Sequence, residues 1–92
     1  LTLKALTPVD RTDFNIPADV DGLFVSHVKI GSEAAEKGLM EGDVIVEINQ
    51  QKTGTPDAFI DTVDQAKKAG RASVLLLVNG GGDMRFVALK LK

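Results

Sequence analysis

A chain of 92 residues with thirteen Asp and Glu against eleven Lys and Arg, for a net charge of -2, has room for one hydrophobic core and for no second unit beside it. Its basic residues are scattered among the acidic ones, which argues against nucleic acid as a partner, because phosphate recognition needs Lys and Arg gathered together. The absence of cysteine excludes disulfides and thiolate metal sites, and aromatics at 4% leave the core to aliphatic side chains.

Leu1, Leu3 and Ala5 alternate with Thr2 and Lys4, so residues 1–6 are predicted to form a half-buried strand that halts at Thr7 and Pro8. Residues 9–21 are polar and punctuated by Pro8 and Pro17; they read as an excursion with room for a helical turn over residues 11–16, tied to the core by Phe14 and Ile16. Residues 22–29 form a second strand, its inward face starting at Leu23 or Phe24. Ser32 then offers its oxygen to the free N–H groups of a short helix, and Ala34 and Ala35 let that helix lie close to a sheet. Gly38 stops the helix where positive φ is favoured, and Gly42 supplies a second corner before Asp43. In the strand that follows, Val44, Val46 and Ile48 alternate with Asp43, Ile45 and Glu47, so those three apolar residues are expected on one face.

Residues 49–52 read as a turn. Thr55 as N-cap, Pro56 at the first helical position, Asp57 in the first turn, Lys67 and Lys68 in the last and Gly70 beyond it mark the one long helix. Phe59, Val63 and Ala66 form its core stripe, with Ile60 displaced to the flank. The β-branched and leucine run of residues 73–78 predicts a central strand, turned by residues 79–83 into a last strand over residues 84–91. The expected tally is five or six strands and two helices.

Little in the chain speaks for catalysis. His27 is the only histidine; Ser26 adjoins it, but neighbours on a strand face opposite ways, and no nucleophile turn is present, so no catalytic residue is expected. Asp57, Asp61 and Asp64 read as a solvated helix face, and Gly80, Gly81 and Gly82 as a hairpin turn, since no helix follows to bind a phosphate. No metal or other cofactor is expected. The longest apolar run, residues 74–78, is too short to span a membrane.

The pattern Gly-Ser-x-Ala-Ala-x-x-Gly-Leu-x-x-Gly-Asp-Val-Ile-x-x-Ile-Asn, from Gly31 to Asn49, resembles the corresponding segment of PDZ domains, bacterial ones in particular. The order of elements is similar to that of the HtrA/Do family of periplasmic serine proteases, and the first strand, long helix and last strand resemble those of the second, C-terminal PDZ of a Do-type protease. The resemblance implies an α+β fold, a PDZ-like partly open β-barrel or sandwich of 5–6 strands capped by two helices in a circularly permuted bacterial topology. It also implies that residues 1–92 are a single domain cut from a longer, periplasmic protein. Of the family's carboxylate-binding loop, hydrophobic-Gly-hydrophobic, only the last member is matched, by Leu1.

In that family a C-terminal or unfolded polypeptide segment adds as a strand beside the first strand. Carried over, the resemblance makes Leu1, Thr2, Leu3, Lys4 and Ala5 the strand that receives the guest, with Leu1, Leu3 and Ala5 flooring an apolar slot and Thr2 and Lys4 facing away. Ile60 and Val63 would form the helix wall, Lys67 its far end, and Phe59 would lie beneath. About four hydrogen bonds at roughly 0.5–1.5 kcal/mol each and about 2 kcal/mol from one buried side chain, less ordering costs, correspond to micromolar or weaker binding. The expected partners are polypeptide C-termini or unfolded segments, together with the catalytic domain and other PDZ of the parent chain. The alternative is a structural domain that assembles the parent protease, or the PDZ of a site-2 or C-terminal processing protease.

Overall fold

The computed structural model describes residues 1–91. The opening alternation forms strand β1 (Thr2–Ala5), which runs antiparallel to β2 (Leu23–His27). Between them lies a helix, α1 (Pro8–Asp13), that starts earlier than the helical turn expected at residues 11–16. Pro8 does not simply stop a strand. It occupies the first helical turn, where a missing N–H costs nothing, and Thr7 caps it: the Asp10 N–H donates to Thr7 Oγ1 at 3.2 Å while the Thr7 N–H donates to Asp10 Oδ2 at 3.1 Å. Among the described residues there are therefore three helices rather than two. The others are α2 (Glu33–Glu36), capped by Ser32, and α3 (Pro56–Lys68), capped by Thr55.

The remaining strands are β3 (Val44–Ile48), β4 (Gln51–Lys52), β5 (Ser73–Gly80) and β6 (Asp83–Lys90). They complete one antiparallel six-stranded sheet in the order β1-β2-β3-β5-β6, with β4 paired to β3. The expected turn at residues 49–52 thus holds a short strand, because Asn49 and Gln50 both take positive φ and fold Gln51 back against Ile48. The central run extends past Val78 to Gly80, and a two-residue turn at Gly81 and Gly82 joins it to β6.

Apolar clusters pack on both faces of β2 and β3. Val25, Ile45, Ile48, Leu76, Val78 and Val87 form the main core, joined by Ala34 and Leu39 at α2 and by Ala66 of α3. Phe24 and Val44 point the other way, to a smaller cluster with Ile16 and Val20 from the excursion. Leu23 and Phe24 are both buried, so β2 has no single inward face. A register shift between Ile45 and Glu47 corrects the expected alternation in β3: Val46 is left over as a bulge, so Val44 and Val46 share the smaller cluster while Ile48 joins Ile45 in the main core.

Polar contacts fix the edges of this arrangement. Asp43, only 5% exposed, accepts the Met40 N–H at 3.0 Å and the Arg85 guanidinium at 3.3 Å, and Arg85 also donates to the Gly38 carbonyl at 2.8 Å. The loop between α2 and β3 is thereby clamped to β6. Lys4 pairs with Asp10 and lies over the Phe24 ring, 5.1 Å from its centroid, binding β1 to α1. The Lys4 ammonium, and with it the hydroxyl and N–H of Thr7, holds the Asp10 carboxyl below its ordinary value.

Candidate functional site

The hydrogen-bond direction of β2 determines what β1 leaves open. The Val25 N–H donates to Asp43 O at 2.8 Å and the Val25 carbonyl accepts from the Gly42 N–H at 2.9 Å, so both Val25 groups point toward β3. Alternation then turns those of Phe24 toward β1, where its partner is Lys4. Lys4 spends its backbone groups on β2, and Leu3 and Ala5 present theirs outward. Thr2 agrees, since its carbonyl accepts from Ser26 Oγ on the β2 side at 3.2 Å. Because among the described residues β1 pairs with β2 alone, the N–H and C=O of Leu3 and Ala5 form an open ladder at the edge of the sheet.

Helix α3 lies against β1 and β5, and two apolar clefts separate the helix from the strand. One, of about 290 Å³, is walled by Leu1, Leu3, Pro56, Phe59 and Ile60. The other, of about 300 Å³, continues past Leu1 between Val63 and Lys67 of the helix and Leu89 and Leu91 at the end of the sheet. Leu1 and Phe59 line both, so the two clefts are halves of one groove. Ile60 stays 54% exposed on its rim.

The structure brings Leu1, Leu3, Ile60, Val63 and Lys67 together around this groove. The side chains of Thr2 and Lys4 lie outside its lining, and that of Lys4 is committed to Asp10 and Phe24. Ala5 departs from the expected apolar floor: it lines a separate cavity of mixed polar and apolar character at the far end of β1. Phe59 was expected beneath the groove, yet it reaches both clefts while packing on the main core. Pro56, Leu89 and Leu91 complete the walls and were missed. Their sequence signals, an N-terminal helix proline and the tail of the last strand, have structural explanations that conceal a second use. His27 is exposed at the end of β2, and the Ser26 hydroxyl donates to the Thr2 carbonyl.

Among the described residues no helix is long and apolar enough to cross a membrane. A family model described as "PDZ domain" matches residues 6–79. Proteins named "Probable periplasmic serine endoprotease DegP-like" are similar in sequence: that of Bartonella henselae is 41% identical over 70 residues, covering 76% of this chain and 14% of its own length, and that of Chlamydia muridarum is 34% identical over 88 residues, covering 96% and 17%. The chain thus spans 14–18% of the length of these curated relatives. Among solved structures, the HtrA3 PDZ domain bound to a phage-derived ligand superposes with a TM-score of 0.75 at 21% identity, covering 98% of this chain and 79% of that one. The HtrA-type protease AlgW with decapeptide gives a TM-score of 0.78 at 24% identity, covering 98% of this chain and 27% of that one. With a family model that spans most of the sequence and an architecture that matches throughout, the chain belongs to the PDZ domain family.

Proposed function

We propose that this chain is the peptide-docking domain of a periplasmic Do-type serine protease, receiving C-terminal or unfolded polypeptide segments as an added strand on β1. The observation that carries this reading is the open ladder of Leu3 and Ala5 beside an unfilled apolar groove. Backbone pairing supplies affinity with little sequence demand, and the groove between Leu1, Phe59 and Val63 selects an apolar side chain. The names of the DegP-like relatives support both the periplasm and a parent that cleaves proteins, and the peptide-bound HtrA-type neighbours support the mode of docking. Catalysis belongs to another domain of the parent, to which this domain and a companion PDZ deliver the guest.

The test is titration of a fluorescein-labelled, apolar-ended peptide by anisotropy, with the chain and with a version extended upstream. Saturation in the micromolar range is expected, weakened at least tenfold by Ile60→Lys, a rim change that leaves the fold intact. No binding by either version, or binding indifferent to Ile60→Lys, refutes the reading.

A second reading, assembly of the parent, is favoured by one observation. The outer face of the β5–β6 hairpin exposes Leu75, Met84 and Phe86, and β6 has an unpaired edge of its own. Deleting the domain from the parent distinguishes the two: loss of higher assembly with peptide capture intact favours the scaffold.

A further inference from the structure

We propose that the edge of β6 pairs antiparallel with the β6 edge of a second copy of this chain, closing two domains into a symmetric dimer; the inference deepens the assembly reading above and is independent of docking on β1. The open edge follows from hydrogen-bond alternation. The Leu91 N–H donates to the Ala72 carbonyl at 3.0 Å, which turns the backbone groups of Leu89, Val87 and Arg85 toward β5 and those of Lys90, Ala88, Phe86 and Met84 away from it. Among the described residues β6 pairs with β5 alone, so these outward N–H and C=O groups form a second open ladder. Edge strands are ordinarily protected by shortness, proline, a bulge or charge. Strand β6 runs for eight residues in unbroken register with β5 and contains no proline, and its central charge, Arg85, is drawn to Asp43 and the Gly38 carbonyl.

The side chains beside this ladder are apolar. Val87 and Leu89 pack on the main core, so Met84, Phe86 and Ala88 lie on the opposite face of the sheet with Leu75; Phe86 is 63% exposed and Met84 51%. The excursion covers this face over β2 and β3, yet among the described residues its cluster includes none from β5 or β6. The occupant that fits is another β6. Antiparallel pairing through the outward residues sets Phe86 beside Ala88 of the second copy and Ala88 beside its Phe86, a ring against a methyl on each side of the two-fold axis. In the same register Met84 faces Lys90 of the second copy, which brings each cationic end to the Asp83 end of the other strand, and Arg85 faces Leu89. An in-register parallel pair would instead set Asp83, Arg85 and Lys90 each beside its own kind, a destabilising arrangement of like charges. Pairing β6 with β1 of the next copy leaves an edge free at each end and grows without closing.

The experiment combines sedimentation velocity of the chain, from about 10 µM to about 1 mM, with amide hydrogen exchange by NMR at both ends of that range. A single strand pair is a small interface, so the dissociation constant is expected on the order of 100 µM, with the mass rising from one chain toward two and stopping there. At about 1 mM about four-fifths of the chains are then paired, and exchange at Met84, Phe86 and Ala88 is expected to slow about fivefold while Leu3 and Ala5 do not change. Ala88→Pro removes an outward N–H without touching a bond to β5, and Phe86→Lys places a charge at the pair while leaving the core alone; each is expected to weaken the dimer at least tenfold. A chain that stays monomeric, a mass that grows beyond two, a dimer whose Met84, Phe86 and Ala88 amides gain no protection, or one indifferent to Phe86→Lys overturns the proposal. Peptide docking on β1 stands after any of these results, and the assembly reading then rests on the deletion from the parent.

Discussion

The alternation of backbone groups along β1 makes the docking reading testable at single-atom resolution. Leu3 and Ala5 each present an N–H and a C=O outward, whereas Thr2 and Lys4 direct theirs to β2. A guest strand must exchange both bonds with Leu3 and both with Ala5, and its intervening residue makes none. Replacing one guest amide N–H by N-methyl removes one bond of about 1 kcal/mol, equivalent to roughly fivefold in affinity, if that residue lies opposite Leu3 or Ala5. The same change one residue away leaves affinity within about twofold, because that N–H points away from the strand. Stepping the N-methyl group along an apolar-ended hexapeptide and measuring each dissociation constant by calorimetry is therefore expected to give a sawtooth of period two. A flat profile, or losses at adjacent residues, refutes strand addition on β1 even if the peptide binds.

Three further expectations follow from the geometry. Phe59→Ala is expected to cost about 2–3 kcal/mol in urea denaturation, below the value for a fully buried ring because Phe59 is partly exposed, whereas Ile60→Ala, on the rim, stays within about 0.5 kcal/mol yet weakens peptide binding; equal stability losses would contradict the division between core and rim. Gly22→Ala would set a Cβ 2.1 Å from the Ile45 carbonyl oxygen, a backbone atom of the central sheet that has little room to retreat; a loss of at least about 3 kcal/mol, seen as a melting point lower by about 12 °C or more in circular dichroism, is expected. Lys4 and Thr7 depress the Asp10 pKa in the folded state, so the associated stability is fully present above the unfolded carboxylate value of about 4 and is lost as pH falls through the lower folded value. Urea midpoints measured from pH 7 to acid are expected to fall less steeply below about pH 4 in Asp10→Asn than in the parent, and superimposable acid limbs would count against the pair.

How legible the site was depended on the range of the interactions that make it. The Thr55 cap, Pro56 and the stripe of Phe59 and Val63 act within one helix, and each was readable from spacing. Thr7 and Asp10 form an equally local signal, but Pro8 concealed it, since a proline marks a strand stop and a helix start alike. The bulge at Val46 could not be read, because an extra residue in one strand has meaning only against the register of its partner β5. Ala5 fits the alternation of β1 yet lines a different cavity from Leu1 and Leu3, because Leu6, Val46 and Thr53 reach that end of the strand from distant parts of the chain. Arg85 showed nothing in sequence of its hold on Asp43 and Gly38, 42 and 47 residues away.

The amino-acid order alone determined where most of the strands and the long helix form and which residues stripe that helix's buried side. Those properties arise from neighbours within a turn or two, whose backbone preferences and side-chain periodicity act before the chain closes on itself. Only the tertiary structure decided that the Leu3 and Ala5 edge is unpaired, that α3 stops short of covering it, and that the Thr53 hydroxyl is buried without a partner. An open edge and an unfilled cavity are defined by what the rest of the chain leaves unoccupied, and no local residue pattern encodes such a vacancy.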